Sequence, residues 1–469
     1  MSGLLFGERL IEKKRISKTQ LQKALDRQRI QGGRLGSNMV ALGFIDHEDL
    51  TDFFTSAPDV PQTVEETGLD FSFIVDLIIK HGLNLGEFSI PGMVSRTKLT
   101  APVVDQAIDS LRHDQLAEVK GASQLSKLSY RFILTEAGIK RSRDLMEVSR
   151  YVGPAPVPFN EYRNMVEIQT IKSIFLDPEK VKDAFSNLII SEQIVERLGP
   201  AISSGRAIFL YGPSGNGKTT IAENIGRVLP GSIYMPYAVL AEGEIITIYD
   251  KGSHVAVKPK YSADSVDQRW ALVERPVVMV GGEMTLKSLN LDFNPISKFY
   301  EAPLQMKANN GLFIVDDFGR QQVDPQNFLN RWIVPLERST DFLSFHTGMK
   351  IEIPFDQLVV FSTNLDPGSL VDEAFLRRIR YKIKIDYPDL NEYREIFQRV
   401  CDSNGIAFNN ELFDHLIEDY YHQNNVKLSS CHCRDIIEQI VDNARYHGVK
   451  PELTKETLSA AWNSYFVEM

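Results

Sequence analysis

Apolar positions along the chain follow two main patterns, and each predicts a different kind of element. Leu312 to Val315 form an unbroken apolar run that surfaces at Asp316 and Asp317. A run without alternation suits an interior strand of a parallel sheet, covered on both faces. Ile208 to Tyr211 has the same character and leads into "GPSGNGKT", while "QLVVFSTN", Gln357 to Asn364, is a third such strand ending in a polar pair. Elsewhere helical patterning dominates. It predicts helices near Phe71 to His81, Pro91 to Lys98 and Ala101 to Asp114, then two strands in "LAEVKG" and "YRFILT", then a helix capped by Thr135. Helices are expected again after Asn391, including Asn410 to His422 and Ser429 to Tyr446. "EIITIYDKGSHVAVKP" reads as a hairpin turning at Asp250 to Ser253.

The first 57 residues contain a repeat at a constant offset of 29. Phe6 matches Leu35, Gly7 matches Gly36, Leu10 matches Met39, Ile11 matches Val40, Ile16 matches Ile45, Leu21 matches Leu50 and Leu25 matches Phe54. Each copy predicts a short helix, a turn and a second helix begun by Ser17 or Asp46 as N-cap.

At 469 residues the chain exceeds one ordinary core, and two to four domains are expected. The start, "MSGLLFGERLIEKKR", turns charged before an apolar signal core develops, and no apolar run approaches a membrane span. Three cysteines, Cys401, Cys431 and Cys433, show no disulfide framework and suit a reducing compartment, so a cytoplasmic protein is expected. Cys431, His432 and Cys433 lack the four-ligand spacing of a zinc site. A net charge of −10 and a pI near 5.5 disfavour broad attraction to nucleic acid.

The most specific chemistry lies in G-x-x-x-x-G-K-T, Gly212, Pro213, Ser214, Gly215, Asn216, Gly217, Lys218 and Thr219, followed by Thr220. It has the preceding strand and following helix that a phosphate-binding loop requires. Its glycines let the backbone curl so that N–H groups face phosphate oxygens at a helix N-terminus. Lys218 is placed for the β and γ phosphates of ATP, and the Thr219 hydroxyl for Mg²⁺, with Asp316 as the second Mg²⁺ contact. Asp317 would then polarise the attacking water, which Asn364 would orient from the end of its strand. The usual second acid there is Glu. The shorter Asp keeps the charge but withdraws it by one methylene, so slow hydrolysis is expected.

These motifs resemble the AAA+ ATPases over Tyr162 to Met469, with Gly212 to Thr219 as Walker A, Asp316 and Asp317 as Walker B and Asn364 as sensor 1. The resemblance implies an α/β fold: a P-loop AAA+ core with a parallel sheet and a C-terminal helical lid. It also implies arginine fingers at Arg377 and Arg378 in "EAFLRRIRYKIKIDYPD", a sensor 2 at Arg434 in "CHCRDIIEQI", and a homo-oligomer, most often a hexameric ring. The helix, hairpin and strand order in "NRWIVPLERSTDFLSFHTGMKIEIPFDQLVVFSTN" is similar to the MoxR and magnesium-chelatase-like branch. The segment between the loop's helix and the acidic strand is longer than usual there. Within it Phe299 or Tyr300 would either project into a central pore or pack in the core.

The N-terminal repeat resembles the MshEN-type unit of type II secretion and type IV pilus ATPases, some of which bind cyclic di-GMP. Here Leu5 and Lys14 replace that family's Arg and Gly in the first copy, and Ala57 its Gln in the second, while Arg34, Gly36 and Gly43 are kept. That leaves a docking module or a dinucleotide site with Arg34 as its contact. Residues 61–160 resemble a winged-helix domain, with "LTEAG" at the step into its last helix. Its third helix carries Asp105, Asp109 and Asp114 against Arg112 and His113, and so favours protein contact over DNA. "YVGPAPVPFN" is expected to be a stiff spacer.

The resulting division is 1–60 for the repeat, 61–160 for the winged helix and linker, 161–388 for the P-loop core and 389–469 for the lid. The function expected is an ATP-driven switch or remodeller of a protein client chosen by the N-terminal units, in a pilus, secretion or second-messenger context. A DNA-binding regulator with ATP-controlled assembly and a cyclic di-GMP receptor with ATPase output are the alternatives.

Overall fold

The structure, a computed structural model, describes residues 10–11, 15–31, 35–45, 57–122, 130–174, 176–258, 265–370 and 376–466. Its central sheet has five parallel strands, here numbered along the chain: β1 (Ile208–Tyr211), β2 (Val277–Val280), β3 (Leu312–Val315), β4 (Leu358–Thr363) and β5 (Tyr381–Lys384). Their spatial order is β2-β3-β4-β1-β5. Every residue of β3 and β4 is buried, as the unalternating runs predict. The edge strand β2 was missed by the sequence reading, and it alternates, with Val277 and Met279 exposed. Register pairs Thr363 with Tyr211 and Val315 with Phe361. Gly212, Asp316 and Asn364 therefore leave the sheet along one edge, beside the point where the strand order reverses. Open α/β sheets bind their ligands at such a point. This is an α/β P-loop arrangement on a parallel sheet, as the motifs predict.

A second sheet of five strands comes from the long insertion and the linker, in the order Asp292–Asn294, Phe299–Glu301, Glu244–Thr247, Ala238–Ala241, Val157–Pro158. The expected hairpin is corrected here. Asp250–Ser253 does turn, with the Asp250 carboxylate accepting from Gly252 N at 2.9 Å, but Glu244–Thr247 pairs back onto Ala238–Ala241. The reversal falls at Glu242 and Gly243, both at positive φ (51° and 81°), the conformation that tight two-residue hairpins need. Successive side chains of this sheet serve two cores. Ala238 and Ile245 join the helices of residues 71–113, while Val239 and Ile246 join Tyr162, Trp270 and Tyr300.

Tyr300 is buried and its hydroxyl meets His346, while Phe299 packs edge-on against Tyr151 at 5.4 Å. The packed alternative is therefore the one observed for both. The proline-rich linker is packed into the fold: Tyr151, Ala155 and Val157 are buried, and Val157–Pro158 pairs in parallel with Val239–Leu240. Arg269, fully buried, fastens this junction. It meets Asp267 at 2.8 Å and donates to the carbonyls of Thr67 at 2.8 Å and Pro156 at 3.3 Å. Removing one partner of such a buried pair costs about 3–5 kcal/mol.

Between the repeat and the linker, helices Phe71–Leu85, Ile90–Thr97 and Ala101–His113 precede two antiparallel strands, Ala117–Ala122 and Tyr130–Leu134. A short strand, Glu87–Phe88, joins them and was not foreseen. Thr135 caps the closing helix Glu136–Val148 by accepting from Gly138 N at 3.1 Å.

In the repeat, the matched pairs Leu10/Met39 and Ile16/Ile45 are all buried in one small core around Ala24. The same hydrogen bond recurs at the same offset, Arg15 N to Leu10 O at 2.9 Å and Phe44 N to Met39 O at 3.0 Å. Ser17 accepts from Gln20 N at 3.2 Å, as its N-cap role requires. Leu5, Phe6, Gly7, Lys14, Arg34, Asp46, Leu50 and Phe54 lie outside the described residues.

The C-terminal unit packs Leu390–Ser403, Asn410–His415 with its π-helical continuation Leu416–His422, Ser430–His447 and Lys455–Tyr465 around Phe397, Phe413 and Ile437. No described helix is long and apolar enough to cross a membrane.

Candidate functional site

The loop after β1 takes the shape its glycines permit. Gly212, Gly215 and Gly217 have φ of 140°, 78° and 79°, values that strain any other residue. A Cβ on Gly212 would lie 2.0 Å from the Ile385 carbonyl oxygen. Gly217 hands over directly to the helix Lys218–Val228, whose first turn thus opens at the loop.

Lys218 is buried, and its ammonium donates to the carbonyls of Gly212 at 2.9 Å and Pro213 at 2.7 Å. Burial pulls its pKa below the ordinary lysine value, against the opposing pull of Asp317 and Asp316. The Thr219 hydroxyl donates to the Asp316 carboxylate at 2.9 and 3.1 Å. Two hard oxygen donors, one from the first turn of the helix Lys218–Val228 and one from the end of β3, thus meet at one point, a donor set suited to Mg²⁺. The adjoining Thr220 faces a cavity beside the loop.

Asp317 is exposed and sits at φ 47°, a left-handed conformation that Asp tolerates better than most residues. Its turn is braced by Gln321, whose amide donates to Asp316 O at 2.8 Å and Asp317 O at 3.2 Å. Phe318 N donates to Ser362 O and the Thr363 hydroxyl to Phe318 O, both at 2.7 Å. The acidic turn is therefore tied to the end of β4, where Asn364 follows. The Asn364 amide oxygen is shielded from solvent and has no hydrogen-bond partner among the described residues, so it remains an acceptor for something brought to the site.

The arginines lie further out. Arg377 and Arg378 are exposed just before β5, with Arg378 on Glu337 at 2.5 Å. Arg434, on the helix Ser430–His447, meets Asp435 at 3.5 Å and Glu438 at 3.8 Å on its own helix. The parts of that helix unit that reach the loop are Ser429, Ser430 and Cys431, of which the sequence points only to Cys431, and there as a thiol rather than as a contact to the loop. Ser429 Oγ donates to Ser214 O at 3.3 Å, Ser430 N to Asn216 Oδ1 at 3.0 Å and Cys431 N to Gly215 O at 2.8 Å. Asp356, just before β4, is buried: its carboxylate accepts from Ile171 N at 3.0 Å and Thr170 Oγ1 at 2.7 Å.

Beside the loop is a cavity of about 360 Å³, lined by Asn187 to Ile190, Thr220, Ile221, Ile396, Arg399 and Val400 among others. Its size and largely apolar wall suit a planar base next to the phosphate cradle. The sequence signal was faint: Ile396, Val400 and Ser403 are spaced as one helix face, but that spacing alone reads as core.

A family described as a domain of unknown function (DUF8689) matches residues 389–464. No curated protein matches the chain. Among solved structures, the chain is similar to NtrX from Brucella abortus in complex with ADP, at 15% identity and a TM-score of 0.37, covering 71% of this chain and 68% of that one. It is also similar to a proline-to-glycine mutant of Thermotoga maritima RuvB, at 12% identity and a TM-score of 0.33, covering 63% and 72%. Likeness at these scores adds nothing to what the strand order and the loop establish.

Proposed function

We propose that the chain is an AAA+ ATPase that binds ATP at residues 212–220 and hydrolyses it slowly to switch or remodel a protein client. The observation that carries this reading is the Thr219 hydroxyl on the Asp316 carboxylate, with the buried Lys218 ammonium beside the same loop. Lys218 neutralises charge on the β and γ phosphates, and Thr219 and Asp316 hold Mg²⁺. When bound, Mg²⁺ screens phosphate charge and draws electron density from the transferred phosphoryl group. Asn364 orients the attacking water through its unpartnered amide oxygen, and Asp317 accepts the proton that water loses. The exposed position and short side chain of Asp317 support a low rate.

The wider reading follows the same order of support. The helix Pro325–Arg338, the hairpin Thr340–Ser344 with Lys350–Pro354, and β4 match the element order of the MoxR-like branch. Three helices, two paired strands and a closing helix support the winged-helix reading of residues 61–160, and the recurrent hydrogen bond supports the MshEN-like reading of residues 1–60. Helix Ala101–His113 exposes Pro102, Gln106, Arg112 and His113, a face too weakly basic for phosphate tracking, which favours a protein client over DNA. Arg377 and Arg378 serve a neighbouring subunit in a ring, and Arg434 serves the lid. The test is release of phosphate from ATP by the purified full chain, dependent on Mg²⁺ and stopped by EDTA. Failure of the chain to bind ADP or ATP would overturn the reading.

A further inference from the structure

We propose that Asn216 is a positioning residue that latches the C-terminal helical unit onto the phosphate loop, and so holds one wall of the base cavity in place. The inference rests on the reading of this cavity as a nucleotide site. Asn216 is 5% exposed, and the hydrogen bonds of its amide run in two directions. Its nitrogen donates weakly to Pro213 O and Ser214 O, both at 3.5 Å, within the loop. Its oxygen accepts from Ser430 N at 3.0 Å and Ser429 Oγ at 3.3 Å, at the first turn of the helix Ser430–His447.

The approach is close enough to constrain the loop sequence. A Cβ on Gly215 would lie 2.4 Å from Cys431 Sγ and 2.7 Å from Ser429 Oγ. Gly215 therefore answers to the helix docked on it as well as to its own φ. Asn216, Gly217 and Ser430 all line the 360 Å³ cavity together with Ile396, Arg399 and Val400, so the latch sits where the two walls meet. A phosphate-binding loop needs backbone N–H groups and Lys218 for its anion. It does not need this side chain for that. Asn216 instead ties the C-terminal helical unit to the phosphate loop.

Two substitutions break the contact from opposite sides. Asn216→Ala removes the acceptor. Ser430→Pro removes the donor at the first helical position, where proline is well tolerated, and the preceding Ser429 already has extended angles, φ −121° and ψ 135°. In hydrogen exchange on the full chain without nucleotide, Asn216→Ala is expected to speed exchange at Ser430 and at Cys431, although the Cys431 bond to Gly215 is untouched. In binding assays, each variant is expected to weaken ADP about tenfold, the scale of one or two lost hydrogen bonds. Tripolyphosphate, which has no base, should bind Ser430→Pro within about twofold of wild type, because that substitution leaves the loop's N–H groups and Lys218 untouched. The double variant should be no weaker than Asn216→Ala alone, since that substitution already removes the acceptor of the Ser430 bond. Unchanged Cys431 exchange, or equal loss of tripolyphosphate and ADP in Ser430→Pro, would overturn the latch. Wild type that binds no ADP would instead remove the nucleotide reading, while the exchange experiment would still report on the contact.

Discussion

The two walls of the candidate site are built in different ways. The loop wall is a strand, a turn and a helix contiguous in sequence, joined by one acidic turn, and its residue types are fixed by the anion they face. Backbone N–H groups converge only if glycines take φ values of 140°, 78° and 79°, and a hard cation needs oxygen donors such as those of Thr219 and Asp316. The opposite wall gathers Asn187 to Ile190, one face of the helix Leu390–Ser403 and Ser430 from distant parts of the chain. A flat apolar ligand asks of it only shape and contact. Phosphate chemistry therefore leaves a signature in sequence, and base recognition leaves almost none.

The largest effect expected lies outside both walls. If Arg377 and Arg378 complete a neighbour's site, the double Arg377→Ala, Arg378→Ala variant should lose on the order of a thousandfold in turnover, as arginine fingers do elsewhere. Mixing it with Lys218→Ala protein should restore part of the activity, because some interfaces then pair an intact loop with intact arginines. A co-assembled mixture as inactive as either parent would show that the loop wall works without a neighbour. Within the loop wall, Lys218→Ala should cost on the order of several hundredfold in kcat and weaken ATP binding. Comparable steady-state turnover in this variant and wild type would place catalysis elsewhere.

Asp317 divides binding from chemistry inside the loop wall. Asp317→Asn should slow hydrolysis on the order of a hundredfold while ATP stays bound, since an amide cannot take up the proton. Asp317→Glu should raise the rate by restoring the missing methylene. Single-turnover phosphate release alongside ATP retention measures both. If the Asn variant hydrolyses as fast as wild type, the second acid of the turn is not the base.

How much of this was readable in advance follows the same division. The runs 208–211, 312–315 and 358–363 announced their strands because a sheet covered on both faces selects unbroken apolar residues. Lys218, Thr219 and Asp316 were found by type and spacing, and they meet. The edge strand Val277–Val280 alternates and lies inside a long insertion, so no unbroken run marked it. The hairpin was placed one turn late because Asp250–Ser253 is richer in turn residues, although Glu242 and Gly243 make the reversal. The proline-rich linker looked like a spacer, since composition cannot reveal that Tyr151 and Val157 are covered by a sheet formed far along the chain. Asn216 was noted as part of the loop, but its partner Ser430 is separated from it by β2, β3, β4 and β5.

The smallest effect tests the lid wall alone. Helix Leu390–Ser403 turns Tyr393, Phe397 and Cys401 into its own core and Ile396, Arg399, Val400 and Ser403 toward the cavity, the two faces that a period of 3.6 residues separates. Val400 is half-buried, lining the cavity and packing on the edge of the lid core, so Val400→Trp fills cavity space at some cost in packing. Enlarging a partly packed side chain in this way should cost about 1–3 kcal/mol of stability. Its indole occupies space that the base needs, while Lys218, Thr219 and Asp316 keep their positions. Binding lost equally from ground and transition states raises KM and leaves kcat alone. The expected result is a KM for ATP raised about tenfold, the discrimination typical of shape changes in apolar pockets, with kcat within about threefold of wild type. A fall in kcat with KM unchanged would mean that this helix acts on the chemistry at the loop, and the separation of the two walls would fail.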